Sequence, residues 1–208
     1  MLVVPLAMAS LSAGAGGARN DTPTAVLATM VKAMVEGDAD TYVSIFDATE
    51  DEAKVLRAMC NYYGTALNVQ KAMIDAYGEG GVMEDKKDLH AMLDGTWQEK
   101  VKIKIEGDKA TATREGKDKP IKLFKKDGSW NIAADAMIAD SVKLGGKPAG
   151  LNQDGDKAIK MFQAMADAHN EVMPMIGKDG KTAADINQYI GQAVLKAFFA
   201  SMVMPETE

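Results

Sequence analysis

The stretch KVKIKIEGDKATATREGKDKPIKLFKKDGSWNIAAD, residues 100–135, decides the fold. Val101, Ile103 and Ile105 share one parity of a strand, and Lys102, Lys104 and Glu106 share the other. A period of two means one dry and one wet face. The same parity extends back to Trp97, so the alternation predicts a strand that begins there. Gly107-Asp108 and Asp127-Gly128 are two-residue hairpin signals, the second of the mirror-turn kind. Between them lie KATATREG and PIKLFKK, with Ile121 and Leu123 facing one way and Phe124 the other. Trp130 and Ile132 close a fourth strand. The expectation is a four-stranded antiparallel meander with one face covered by helices.

Upstream, the apolar spacing changes to that of helices. Thr22-Pro23 is a helix start, with Thr22 as cap and Pro23 at the first helical position. Val26, Leu27, Met30, Val31 and Met34 then make one face. A short helix is expected over Tyr42, Val43, Ile45 and Phe46. Thr49 and Glu52 form a capping box ahead of a long apolar pattern from Leu56 to Tyr77. Gly64 is expected to kink or divide that helix, and a further short helix carries His90. Downstream, residues 141–153 bear Gly and Pro and read as a linker. Two amphipathic helices follow over 154–204, the first capped by Asp154 or Asp156 and the second by Thr182 with Asp185. Their short connection favours an antiparallel hairpin.

The 208 residues carry a net charge of −6, which argues against a nucleic-acid partner. The apolar run from Leu2 to Leu11, followed by small residues, reads as a secretory leader over 1–18, cleaved after Ala15 or Ala18. It lacks a basic residue ahead of the run, and it is too short to span a bilayer. The expected location is periplasmic or extracellular. Cys60 is the one cysteine, placed on the apolar side of a helix, where a thiol serves as a small hydrophobe.

Helices followed by an antiparallel meander resemble the NTF2-like (cystatin-like, cone-shaped α+β) superfamily, in particular its small exported domains. The matching segments are EGDADTYVSIFD (36–47), IKIEGDKATAT (103–113) and LFKKDGSWNI (123–132). The resemblance covers residues 21–138, within an expected domain of 21–140. It implies a cavity between sheet and helices, lined by Trp97, Val101, Ile103 and Trp130 with Tyr42 and Tyr62 or Tyr63. The alternative is that these side chains simply fill the core. The superfamily holds enzymes as well as binding and accessory domains, so fold alone does not choose among them.

Three functions are therefore open. The first is a non-enzymatic domain, free of cofactors, that binds a small apolar ligand or a protein partner; a homodimer through the sheet or the hairpin belongs to it. The second is a lyase or isomerase in which Asp94 orients His90, four residues apart on one helical face. The third is a copper carrier using Met161, Met165, His169 and Met173, soft ligands spaced every four residues. A buried core histidine flanked by gap-filling methionines explains the same stripe. Residues 99–127 hold ten Lys or Arg and six Asp or Glu, an excess read as a solvated sheet face that deters strand-to-strand aggregation.

Overall fold

The computed structural model describes residues 20–78, 87–116, 119–141, 143–144, 147–148, 151–178 and 180–202. The expected leader lies outside these residues.

The chain is α+β, with seven α-helices and an open five-stranded mixed sheet among the described residues. Helix α1 (Pro23–Glu36) starts on the Thr22 side chain, which accepts from the Ala25 N–H at 3.1 Å. It ends on Gly37 at φ 69, and Asp38 N–H then closes onto the Ala33 carbonyl. Helix α2 is short (Ala39–Ser44). Phe46, expected inside it, instead forms strand β1 (Phe46–Asp47) with its neighbour.

Helix α3 (Glu50–Tyr77) carries the predicted capping box, with both Thr49 and Glu52 arms formed. It runs unbroken through Gly64, contrary to the expected kink. Glycine is needed there for a different reason. A Cβ on Gly64 would lie 3.1 Å from the Met34 carbonyl and 3.3 Å from the Gly37 Cα, so its absence lets the end of α1 lie against α3. Helix α4 (Lys87–Leu93) follows.

The meander is β2 (Val101–Glu106), β3 (Lys109–Arg114), β4 (Ile121–Lys126) and β5 (Ser129–Ala133). Every neighbouring pair is antiparallel, as the alternation predicts. Asp127 at φ 51 and Gly128 at φ 85 both take the left-handed conformation that a mirror turn demands. Two features depart from expectation. The order is β1-β5-β4-β3-β2, and β1 joins β5 in parallel, Phe46 opposite Ile132. Trp97 shares the parity of β2 but not its conformation. Its N–H donates to the Ala91 carbonyl of α4 at 2.8 Å, and a 3-10 turn (Gln98–Lys100) intervenes before Val101.

Helix α5 (Ala134–Ser141) leaves β5 directly. The stretch expected as a linker contains two paired two-residue strands, β6 (Lys143–Leu144) and β7 (Lys147–Pro148). Helix α6 (Leu151–Val172) starts ahead of the expected Asp154 or Asp156. Helix α7 (Ala183–Met202) starts on Thr182, whose hydroxyl accepts from the Asp185 N–H at 3.2 Å while Asp185 accepts back from Thr182.

One main core joins all these layers. Leu56, Met59 and Leu67 of α3 are fully buried between the sheet and α6, where Met161 and Phe162 enter the same cluster. Phe162 packs on Tyr62 with ring centroids 5.9 Å apart. A second, smaller cluster of Val69, Met73, Val172, Ile186 and Ile190 lies between α3 and the hairpin. The Tyr77 hydroxyl accepts from Gly177 N–H at 2.9 Å and ties the turn after α6 to the end of α3. No described helix is long and apolar enough to cross a membrane.

Candidate functional site

The dry face of the sheet is not wholly filled by the helices. The residues that approach it from α1, α2 and α4 are Met30 and Met34, Tyr42, and Leu89 and Met92. Between them and the strands lies a cleft of about 690 Å³. That lies inside the ~300–1,000 Å³ range of small-molecule sites. Small residues make the room: Ala112 of β3 presents only a methyl group, while Trp97 and Val101 form a side wall.

Four of the six side chains expected at the cavity line this cleft: Trp97, Val101, Tyr42 and Tyr63. Ile103 lines a separate space of about 50 Å³ beside Thr24 and Leu27. Trp130 lines neither; it is packed in the core, and its backbone N–H donates to the Asn20 carbonyl at 2.8 Å. The reason for both is register. Ile103 sits on the edge strand under α1, and Trp130 pairs with Lys125 at the far end of β5. Tyr62 turns away from the cleft and packs on Phe162 and His169.

The deep wall is apolar with one phenol. Tyr42 is 1% exposed, and burial drives its hydroxyl far above the usual tyrosine range, with Tyr63 adding to the shift. Tyr42 is therefore a neutral hydrogen-bonding group at any physiological pH. Cys60 lies behind it, its Sγ 3.8 Å from the Ala33 carbonyl. Burial first, and the Asp38 charge second, push this thiol up to about 11. A thiol so held is no nucleophile at neutral pH.

The open end is different. It lies where β3 stops, β4 starts and β5 passes into α5, and it carries Arg114, Lys119 and Lys122. Every charged lining residue among those described is cationic. The Arg114 guanidinium lies 6.0 Å from the centre of the Trp97 ring, at the limit of a cation–π contact. Its partial burial holds its pKa below the usual arginine value. These three cations were hidden within the charge-rich run 99–127. One of them was legible: Arg114 shares the parity of Ala110 and Ala112, and a charge on a dry parity marks a site.

The His90 and Asp94 pair stands apart. His90 Nε2 is 3.6 Å from Asp94 Oδ2, too long for a good hydrogen bond. Neither residue lines the cleft, although Leu89 and Met92 of the same helix do. Asp94 has another task. Its Oδ1 accepts from the Thr96 N–H at 2.8 Å and from the Thr96 hydroxyl at 2.7 Å. Those bonds hold its carboxyl below the usual aspartate value, with a smaller contribution from His90. A carboxylate depressed in the folded state contributes stability above its unfolded pKa, and loses it as pH falls through the folded value. Carboxyl NMR titration should accordingly find Asp94 below an ordinary aspartate. Thr96→Val, which removes the hydroxyl bond and keeps the backbone one, should raise it part of the way, and by more than His90→Ala does. A dominant effect of His90→Ala would restore the dyad.

The methionine stripe is not gathered either. Met161 belongs to the main core, Met165 is half-buried, and Met173 is exposed past the end of α6. At 1.5 Å per residue the outer two are about 18 Å apart along the axis. His169 is 2% exposed and sits edge-on to Tyr62 at 5.6 Å. Its Nδ1 is 2.8 Å from the Met165 carbonyl, which can only accept, so that nitrogen carries the proton. Gln70 and Asn187 border the adjoining space of about 10 Å³, roughly the room of one water.

Comparisons with family models, with curated proteins and with solved structures find no match to this chain.

Proposed function

We propose that this protein is a non-enzymatic binding domain of the NTF2-like kind, exported from the cell, which holds a small apolar ligand between its sheet and its helices. The observation that carries this is the cleft of about 690 Å³, with a deep wall of Met30, Met34, Tyr42, Trp97 and Ile132. Apolar walls with few polar groups favour a ligand by removing its surface from water, at about 25 cal/mol per Å². The order of helices before a meander supports the NTF2-like assignment, as do the three matching segments. A binding role is favoured over a lyase or isomerase because the polar groups of the deep wall, among the described residues, are the Tyr42 phenol, held neutral, and the Trp97 indole N–H, neither of them an acid or base near neutral pH. The His90–Asp94 pair lies elsewhere.

The test is titration of the full chain with the uncharged fluorophore N-phenylnaphthylamine. Saturable binding at one equivalent is expected. Ala136→Trp, which fills the cleft from the α5 side, should weaken it by about tenfold or more while leaving the urea midpoint in place. The absence of saturable binding by the unmodified chain would overturn the proposal.

A further inference from the structure

We infer that the open edge of β2 is a dimerisation surface, on which a second copy of this chain adds its own β2, antiparallel, about a two-fold axis at Lys104. The inference is independent of what the cleft holds. Among the described strands, β2 stands at one end of the sheet order, with β3 on one side only. The Glu115 N–H donates to the Lys100 carbonyl at 3.2 Å, and in an antiparallel ladder such bonds come from alternate residues. Lys102, Lys104 and Glu106 therefore direct their backbone groups to β3, and Val101, Ile103 and Ile105 direct theirs outward. Ile105, on the dry parity, is also 56% exposed. At this edge the apolar face runs on past the cover that the helices give it.

Charge complementarity selects the second copy as the occupant, and it selects the register. A two-fold axis makes the interface self-complementary, and outward-facing residues must stand opposite one another for the ladder bonds to form. The axis can then pass through Ile103, Lys104 or Ile105. Through Ile103, Lys102 stands opposite Lys104 on both sides of the axis, and like charges directly opposite resist pairing. Through Ile105, Ile103 meets Gly107 of the turn, and only the end of the strand is paired. Through Lys104, each Lys102 faces Glu106 of the other copy. Each Ile103 then faces Ile105 of the other copy, which gives the exposed isoleucine an apolar neighbour. The two Lys104 side chains meet at the axis on long, flexible stems, each already 2.7 Å from Glu106 of its own strand. In this register the strand VKIKIE is complementary to itself. Lysines on a sheet edge discourage pairing in general; here they reject other registers and admit one.

The experiment is sedimentation velocity of the full chain at loading concentrations from about 10 μM to about 1 mM, the range in which small interfaces associate. A reversible dimer is expected. Lys102→Glu sets acidic side chains opposite one another at both contacts, and it should raise the dissociation constant about tenfold or more. Glu106→Lys should do the same with two lysines. An equimolar mixture of the two variants restores opposite charges at both contacts, and it should dimerise about as tightly as the unmodified chain. Variants that failed to fold would show no such recovery. The register is read by cysteine cross-linking. Lys104→Cys should link two copies on mild oxidation, whereas Ile103→Cys and Ile105→Cys should do so far more slowly. A chain that stays monomeric at the highest concentration would overturn the inference. So would a dimer that both charge variants leave intact, since the interface would then lie elsewhere. Faster cross-linking through position 103 or 105 than through 104 would overturn the register.

Discussion

Phe162→Ala is expected to lower the unfolding free energy of the whole chain by about 3–5 kcal/mol, in a single transition. The side chain is 2% exposed and belongs to the same buried cluster as the sheet and α3, and its ring meets Tyr62 at 5.9 Å. Removing it empties a site walled by two long helices, and neither can collapse inward without leaving its other contacts. Tryptophan fluorescence and far-ultraviolet circular dichroism give the readout. Both tryptophans, Trp97 and Trp130, lie outside the hairpin, so fluorescence reports the N-terminal unit and dichroism reports all the helices. The two urea curves should shift together. A dichroism change that precedes the fluorescence change would mean that the hairpin unfolds as an independent appendage.

Gly64→Val should cost about 1–3 kcal/mol, because added atoms would press on backbone rather than on a yielding side chain. The nearest groups are the Met34 carbonyl and the Gly37 Cα. Valine gains some helix propensity over glycine, which sits ~1 kcal/mol below alanine, and the clash outweighs that gain. Gly64→Ala should fall between, the two effects nearly offsetting. Met34 also lines the cleft, so the valine variant should bind the apolar fluorophore more weakly as the end of α1 is displaced. Urea midpoints of the two variants decide the matter: a stabilised Gly64→Val would mean that α1 and α3 are not in close apposition there.

Local chemistry was legible in the sequence, and long-range packing was not. The alternation in β2, the Asp127-Gly128 turn and the Thr49 and Thr182 caps each need only neighbouring residues, and each forms as expected. Strand β1 was invisible because two residues carry no period, and its partner Ile132 comes from the far end of the meander. Trp97 misled because parity counts residues, whereas strand conformation requires a free N–H for the ladder, and Ala91 already accepts the one on Trp97. Helix α5 lies in AADAMIADS, too short and too small in its side chains to show a clear apolar stripe. In the cleft, Tyr42, Tyr63, Trp97 and Val101 were legible as large side chains on inward positions. The cationic rim was read as surface charge, since nothing local distinguishes Lys119 and Lys122 from the lysines that cover the wet face.

The arrangement of the sheet also sets how this protein can assemble. Backbone groups of β5 that β4 leaves unpaired are taken by the Asn20 and Ile45 carbonyls and by the two residues of β1. Among the described strands, only β2 ends the sheet with a long unpaired side, and it bears Lys102, Lys104 and Glu106 on its wet face. Continuous stacking of copies edge to edge requires two such sides on each molecule. With one, a copy that pairs through β2 has nothing left to offer a third. Growth by that route terminates at two, which gives the molecule a built-in stop against fibres.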